Sequence, residues 1–165
     1  MTLIVNTPPI GDAQAMIKNL NLAITALLLA ITITPQVCDA NDLSSITGIW
    51  RTFDDETNQP AALIEISTKD GIYSGTIKRL LDPSSPAVCD KCTDSRKDKP
   101  VLGMKILSDL KLADGFYSGG QILDPDNGEV YRVEAKLIDQ GAKLDVRAYI
   151  GIPLLGRTQI WLREK

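Results

Sequence analysis

The sequence predicts an all-β protein, an antiparallel up-and-down barrel of about eight strands that follows a signal peptide. From residue 46 onward, short runs rich in β-branched and aromatic residues alternate with turn residues. Several runs place apolar and polar residues at alternate positions, which indicates a sheet with one dry face and one wet face. Because hairpin-connected strands can close on themselves and remove exposed edges, we expect a closed barrel.

The N-terminal 40 residues have the pattern of a secretory signal peptide. Lys18 precedes an uncharged run at 19–37, and Ala40 is a small residue at the expected cleavage point. Met16 is an alternative start that gives a more typical charged beginning. An uncleaved anchor or a buried helix are the other interpretations of the run. We predict a signal peptide at 1–40, a single domain at 41–165, and a periplasmic or secreted location.

Turn residues divide the rest of the chain into strands. Asp-Gly at 70–71 and Asn-Gly at 127–128 supply the positive φ angles that tight hairpins require, and Pro153 ends the seventh run. The period-2 alternation is clearest at 131–137 and 144–150. The predicted strands are 46–53, 61–67, 71–80, 102–107, 115–123, 129–138, 142–150 and 156–163.

One predicted connection, from Leu81 to Pro100, is much longer than the others. It shows no periodicity, and connections of that kind are usually lids, packed loops or linkers. Two interpretations stay open: a solvated loop without a function, and a flap over one end of the barrel.

Cys89 and Cys92 lie in this loop and are the two cysteines that remain after the predicted cleavage. An even number of cysteines in an exported chain favours a structural disulfide. A redox-active pair and two reduced, inert thiols are the alternatives. Zinc would require four ligands, and the chain has no histidine. We predict a Cys89–Cys92 disulfide, no metal site and no cofactor.

The charge pattern and the missing histidine exclude several classes of function. The formal net charge is −3, and both signs are interspersed along the strands, so a nucleic-acid partner is not expected. No long apolar segment follows the signal peptide, so we expect no membrane span in the mature chain. Without histidine, Ser-His-Asp and Cys-His catalysis are excluded, and we assign no catalytic residue.

Two acidic segments remain as candidates for chemistry. Asp54-Asp55-Glu56 could bind a cation or act as an acid/base pair, but a polar loop at a barrel mouth is the favoured interpretation. The segment 124–129 is similar to the start of a calcium loop, yet it lacks the 12-residue spacing and the final glutamate. We therefore interpret it as a hairpin turn.

The two ends of the predicted barrel resemble those of lipocalins. Gly48-Ile49-Trp50 lies on the first strand, and Arg157 lies in the segment 156–161 of the last strand. The resemblance implies that these strands pair and that the indole packs under the arginine. We predict a structural clasp between Trp50 and Arg157, with Arg163 as the alternative partner.

Six ordered motifs resemble a bacterial exported family, domain of unknown function 2147. They are Trp50-x-Thr52-x-Asp54-Asp55, Cys89-x-x-Cys92, Lys97-Asp98-Lys99-Pro100-x-x-Gly103-Met104, Gly119-Gly120-x-Ile122-x-Asp124-Pro125, Val146-Arg147-x-Tyr149-Ile150-Gly151 and Gly156-Arg157-Thr158-Gln159-x-Trp161. The sequence departs from the family pattern at Ala148 and at Thr93-Asp94. The resemblance implies a lipocalin-like fold and, as a weak functional lead, binding of small apolar or amphipathic molecules.

Three functional hypotheses follow. The leading one is an exported carrier of a small hydrophobic or amphipathic ligand. The second is a filled barrel that binds an envelope protein or a cell-wall component through its loops, and the remote third is a histidine-free enzyme. The sequence does not predict an oligomeric state. The predicted ligand-lining residues, which would otherwise fill the core, are Ile64, Ile66, Met104, Phe116 and Ile122, with Tyr149 as a polar contact near the rim.

Overall fold

The protein is an eight-stranded antiparallel barrel, closed by pairing of the first and last strands. The structure is a computed structural model, and it describes residues 43–165. The predicted signal peptide and the alternative start at Met16 lie outside the described residues. The strands are β1 Gly48–Phe53, β2 Pro60–Lys69, β3 Ile72–Leu80, β4 Lys105–Ala113, β5 Phe116–Leu123, β6 Val130–Ile138, β7 Lys143–Tyr149 and β8 Arg157–Arg163.

The predicted alternation is visible in the pairing of β6 with β7. Val133 lies opposite Ala148 and Ala135 lies opposite Val146, and these side chains point into the barrel. The residues that flank this pair on β6, Arg132 and Lys136, are exposed to solvent. One dry and one wet face per strand confirm the antiparallel barrel that the sequence predicts.

The predicted fourth strand, 102–107, was wrong in position, since β4 spans Lys105–Ala113. The segment Ser108-Asp109-Leu110-Lys111 has the polar residues of a turn, which is why the prediction ended before it. In the structure Asp109 adopts a φ of 62°, and the register of β3 and β4 shifts at this point. The strand therefore continues through an irregularity that the alternation pattern cannot show. Gly103 belongs to the preceding loop, where its N–H donates to the carbonyl of Ile77.

The connections divide the barrel into two ends. The short turns β2–β3, β4–β5 and β6–β7 lie at one end, together with residues 43–47 and the last residues of β8. We call this the closed end. The connections β1–β2, β3–β4, β5–β6 and β7–β8 lie at the other, which we call the open end. In the part of the chain that the structure describes, no helix is long and apolar enough to span a membrane.

Candidate ligand site at the open end of the barrel

The closed end is held together by Trp50 and Arg163. The Trp50 indole is fully buried, and its Nε1–H donates to the carbonyl of Ile46 at 2.8 Å. The guanidinium of Arg163 lies over the indole, 4.2 Å from the ring centroid. It donates to the carbonyls of Ser45, Thr47 and Gly141, each at 2.7 Å. A stacked cation that also bonds three backbone acceptors fixes this end of the barrel.

The predicted partner of Trp50 was therefore wrong: the clasp is Trp50–Arg163, not Trp50–Arg157. Both arginines lie on the inward face of β8, so the alternation pattern cannot separate them. The strand register determines which arginine contacts Trp50, because Trp50 pairs with Arg163 where β1 and β8 meet. Arg157 is six residues earlier on β8, at the open end.

The segment 45–47 packs across the closed end of the barrel. Ile46 is fully buried, and its N–H donates to the hydroxyl oxygen of Tyr117 at 3.3 Å. The ring of Tyr117 meets that of Tyr73 edge to face, with 4.9 Å between centroids. Burial raises the pKa of Tyr117 above its usual value, so the hydroxyl stays protonated. This half of the barrel is filled by side chains.

The open half of the barrel contains a cavity of about 320 Å³. Its floor is formed by Trp161 of β8 and by aliphatic side chains from the other strands. Its rim is formed by the loops of the open end. The aliphatic residues that border it include Ala62, Ile64, Ile77, Ile106, Ile122, Val146 and Ala148.

Two of the predicted ligand-lining residues, Ile64 and Ile122, border this cavity. Ile66 and Met104 are buried in the core but do not border it. Ile66 lies two residues closer to the closed end than Ile64, where the interior is already filled. For these two residues, filling the core was the correct interpretation.

Phe116 was predicted on the wrong face. Its side chain points out of the barrel with 48% exposure, and the ammonium of Lys136 lies 5.0 Å from its ring centroid. Phe116 and Ile122 are six residues apart, so strict alternation would put both on one face. The register of β5 shifts between Tyr117 and Gly120, where Gly119 has a φ of 78°. This bulge reverses the alternation, so Tyr117 and Ile122 point inward while Phe116 points outward.

Tyr149, the predicted polar contact near the rim, also lies outside the barrel. It follows Ala148, which borders the cavity, and therefore takes the opposite face of β7. Its hydroxyl donates to Oε1 of Glu134 at 3.0 Å. Desolvation, together with the Glu134 carboxylate, raises the pKa of Tyr149. Tyr149 does not border the cavity itself but borders a neighbouring depression, which shares Tyr131, Ala148 and Arg157 with the cavity border.

A chain of hydrogen bonds runs from the floor of the cavity to its rim. The indole N–H of Trp161 donates to Oε1 of Gln159 at 3.0 Å, and Nε2 of Gln159 donates to Asp55 at 2.5 Å. Arg157 then forms ion pairs with Asp55 at 2.5 Å and with Asp124 at 3.1 Å. These contacts join β8 to the β1–β2 and β5–β6 loops.

Sequence reasoning missed this network, although a signal for it was present. Arg157, Gln159 and Trp161 occupy the inward face of β8, and two polar residues on an inward face contradict a dry interior. Such residues indicate polar groups that meet inside the barrel or at its rim. Asp55 was correctly interpreted as part of a polar loop at the barrel mouth.

The disulfide predicted between Cys89 and Cys92 is confirmed. Both cysteines are buried, and Sγ of Cys89 lies 3.7 Å from the carbonyl oxygen of Pro125. The ammonium of Lys91 donates to the carbonyl of Asp126 at 2.7 Å. The disulfide therefore packs the β3–β4 loop against the β5–β6 loop, in keeping with a structural role.

Gly128 shows how closely these two loops approach each other. A Cβ atom at this position would lie 2.1 Å from the carbonyl oxygen of Lys91, and the φ of Gly128 is 77°. Only glycine fits such a contact. The β3–β4 loop also places Ser85, Pro86 and Val101 on the cavity border. It therefore forms one wall of the mouth.

The β7–β8 connection presents apolar side chains to solvent beside the mouth. Leu154 is 81% exposed and Leu155 is 78% exposed, and Ile150 and Ile152 are also exposed. A hydrogen bond from β7 holds this segment in place, since Nε of Arg147 donates to the carbonyl of Pro153 at 2.7 Å. We call residues 150–155 the apolar loop.

Comparison with known families and structures agrees with this architecture. Residues 48–163 match the family model described as "Uncharacterized protein conserved in bacteria (DUF2147)". The chain belongs to this family. In the DUF2147 motifs quoted above, Thr52, Asp55, Asp124, Arg157 and Gln159 all border the cavity. The match covers β1 to β8 and so includes both ends of the barrel.

A solved structure supports the fold of this DUF2147 member. The chain is similar to a protein from Helicobacter pylori, HP1028, whose description assigns it to the lipocalin family. The two share 21% sequence identity with a TM-score of 0.64, over 73% of this chain and 84% of that one. At this identity the likeness shows the lipocalin-like fold alone. A comparison with curated proteins gave no match.

Within residues 43–165, no cluster of three or more cysteine, aspartate or glutamate side chains has an arrangement that could hold a metal ion. Among the rim carboxylates, Asp55 and Asp124 form ion pairs with Arg157, and Asp54 accepts a hydrogen bond from the N–H of Thr57. This arrangement can surround the apolar part of a small molecule at the cavity floor and contact its polar group at the rim.

Proposed function

We propose that this protein is an exported carrier that binds a small hydrophobic or amphipathic molecule in the open half of its barrel. The cavity of about 320 Å³ is the observation that supports the proposal. Its size is at the lower end of the roughly 300–1,000 Å³ of ligand pockets, which fits a small molecule. The aliphatic floor would bury the apolar part, and the rim would contact the polar part.

Binding is a better account of this site than catalysis. The chain has no histidine to act as a base near neutral pH. Arg157 and Gln159 are engaged with Asp55, so these groups shape the mouth. The lipocalin-like fold and the family match support the same assignment.

The carrier proposal includes export to the periplasm or beyond the cell. The signal-peptide pattern at 1–40 supports it, and a buried disulfide fits an oxidising compartment. N-terminal sequencing of protein from the envelope of its own host should start near Asn41. A native N-terminus at Met1 or Met16 in the cytoplasmic fraction would contradict export.

The binding proposal can be tested by filling the cavity. Ala148 borders it, so Ala148→Phe should occupy the space that a ligand needs. Ala113→Phe makes the same change at an exposed position at the closed end and is the matched control. Titration with a small environment-sensitive apolar probe can be followed by fluorescence, since Trp161 lies on the cavity floor.

We expect the wild type and Ala113→Phe to bind the probe, and Ala148→Phe to lose at least about tenfold in affinity while keeping its melting temperature. Equal binding by all three proteins would place the probe elsewhere and contradict the proposal. Native mass spectrometry of protein purified from its host envelope should additionally show a retained small molecule.

The apolar loop favours a second candidate function, recognition of an envelope component through the loops. Leu154 and Leu155 are among the most exposed aliphatic side chains of the described residues. The cavity does not agree with the filled core that this hypothesis assumed, but the loop supports its contact surface. Replacement of both leucines by serine should abolish co-sedimentation with envelope fractions and leave probe binding unchanged. Unchanged co-sedimentation would remove this candidate.

A further inference from the structure

The rim of the cavity carries an excess of negative charge. Its charged groups are five carboxylates and a single guanidinium, that of Arg157. The carboxylates come from two loops that face each other across the mouth, β1–β2 and β5–β6. They are Asp54, Asp55, Glu56, Asp124 and Asp126.

The guanidinium at this rim is already paired with two carboxylates, although its side chain is 53% exposed. Arg157 contacts Asp55 at 2.5 Å and Asp124 at 3.1 Å, and its other neighbour is the ring of Tyr131, 6.0 Å from the centroid. A ligand carboxylate at this rim would compete with Asp55 and Asp124 for the single guanidinium and would lie among five like charges. The mouth therefore disfavours a fatty acid or another apolar anion.

Two rim carboxylates have no bonding partner among residues 43–165. Asp54 accepts hydrogen bonds from Thr57, whereas the side chains of Glu56 and Asp126 have neither a hydrogen bond nor an ion pair there. Lys91 bonds the backbone carbonyl of Asp126, not its carboxylate. Both groups border the cavity and are available to a ligand.

Asp126 is the better placed of the two. It is exposed, yet the protein packed around its carboxyl removes part of the solvent there and raises its pKa. The carboxylates of Asp124, Asp54 and Asp82 add to this effect, and only Lys91 opposes it. The ionised form of a carboxylate that lies among like charges is stabilised when a cation binds beside it.

We propose that the ligand is a small cationic amphiphile, an apolar body with a protonated amine or quaternary ammonium group, and that Asp126 and Glu56 face that group at the rim. This inference rests on the proposed function, because it assigns a ligand class to the same cavity. The apolar body lies on the floor above Trp161, and its single positive charge lies between the two unpaired carboxylates and reduces the excess negative charge of the rim by one.

Three probes with one apolar body test the charge preference. Octylamine, 1-octanol and octanoate differ in the head group, which is respectively cationic, neutral and anionic at pH 7. We expect octylamine to bind about three- to tenfold tighter than octanol, the range of one or two partly exposed ion pairs. Octanoate should bind weakest, and high salt should bring the three affinities together.

Variants assign the preference to named residues. The double variant Asp126→Asn, Glu56→Gln should bind octylamine about as weakly as octanol and keep its octanol affinity. Asp114→Asn neutralises a carboxylate in the β4–β5 turn at the closed end, and this control should bind all three probes like the wild type. An unchanged octylamine affinity in the double variant would overturn the role of these two residues.

The outcomes separate this inference from the proposed function. If octanoate binds as tightly as octylamine, the ligand class is wrong and the carrier proposal stands. If none of the three probes binds, the carrier proposal itself fails. If calcium displaces octylamine at concentrations where monovalent salt does not, the rim is a site for a divalent cation and the cationic-amphiphile assignment is wrong.

Discussion

The closed and open ends of this barrel use the same residue types for different purposes. Each end has an inward-pointing tryptophan and an inward-pointing arginine. At the closed end the Arg163 guanidinium stacks on Trp50 and bonds three backbone carbonyls, so the pair is fully engaged. At the open end Trp161 contacts Gln159, and Arg157 reaches over the cavity to bond two loop carboxylates.

The difference shows that one strand contributes both to a packed end and to the border of a cavity. Arg157 and Arg163 are six residues apart on β8 and point into the same barrel. Residues 45–47 pack against Arg163 and make it part of the core, whereas no segment within residues 43–165 covers Arg157 in this way, so it borders the cavity. We expect substitutions at the closed end to affect stability, and those at the open end to affect ligand affinity.

The largest effect should come from Trp50→Ala. The indole is fully buried and stacked, so its removal should lower the free energy of unfolding by about 3–5 kcal/mol. Trp161→Ala is the comparison at the open end. Because that indole already borders a cavity, its loss should cost about 3 kcal/mol or less. Denaturant unfolding measures both, and equal losses would show that the two halves are packed alike.

The arginines provide the second comparison. Arg163→Met removes charge-assisted hydrogen bonds and leaves three carbonyl acceptors without a donor, so it should cost about 2–4 kcal/mol. Arg157→Met removes exposed ion pairs and should cost about 1 kcal/mol or less. Melting curves of the two variants test the order. The reverse order would restore Arg157 as the clasp residue.

Removal of the disulfide should lower the free energy of unfolding by an intermediate amount and should also weaken probe binding at the open end. The double variant Cys89→Ser, Cys92→Ser releases a short loop, which costs about 2 kcal/mol on the chain-entropy model. Because the disulfide packs against the β5–β6 loop, probe affinity should fall as well. Alkylation of the native protein without reductant should label neither cysteine. Rapid labelling of both would instead support the redox interpretation.

The smallest effect on stability should come from Asp126→Asn. The raised pKa of Asp126 means that folding stabilises the protonated form of this carboxyl relative to its ionised form. Its contribution to stability is therefore complete below the unfolded pKa of about 3.9 and is lost as the pH rises through the higher folded value. The variant should be more stable than the wild type at pH 7, by about 0.5 kcal/mol at most. Below about pH 3.5 the two should melt alike, and a difference that persists there would have another cause.

The fold was predictable because its signals are local. Turn pairs such as Asp70-Gly71 and the alternation of β6 and β7 each determine a hairpin without reference to the rest of the chain. Strand number, direction and closure follow from these hairpins. The disulfide was equally accessible, since an even number of cysteines in a chain with a predicted signal peptide favours a disulfide.

The site was less predictable because it depends on register. The bulge at Gly119 reverses the face of Phe116, and the irregularity at Asp109 extends β4 beyond its predicted end. Pairing across the β1–β8 seam decides which arginine meets Trp50. Each of these is set by contacts between distant segments, and a single extra residue changes the face of every position beyond it.

The position of residues 45–47 beside Arg163 has a consequence for protein engineering. The carbonyl of Ser45 and the guanidinium of Arg163 are 2.7 Å apart, so both ends of the described chain meet at the end opposite the cavity. A short linker from Lys165 to Leu43, with a new opening at Asp70–Gly71, would give a circular permutant with the same strand order around the barrel. Immobilisation or a fusion through either terminus would leave the mouth accessible, which suits this scaffold to use as a surface-attached sensor.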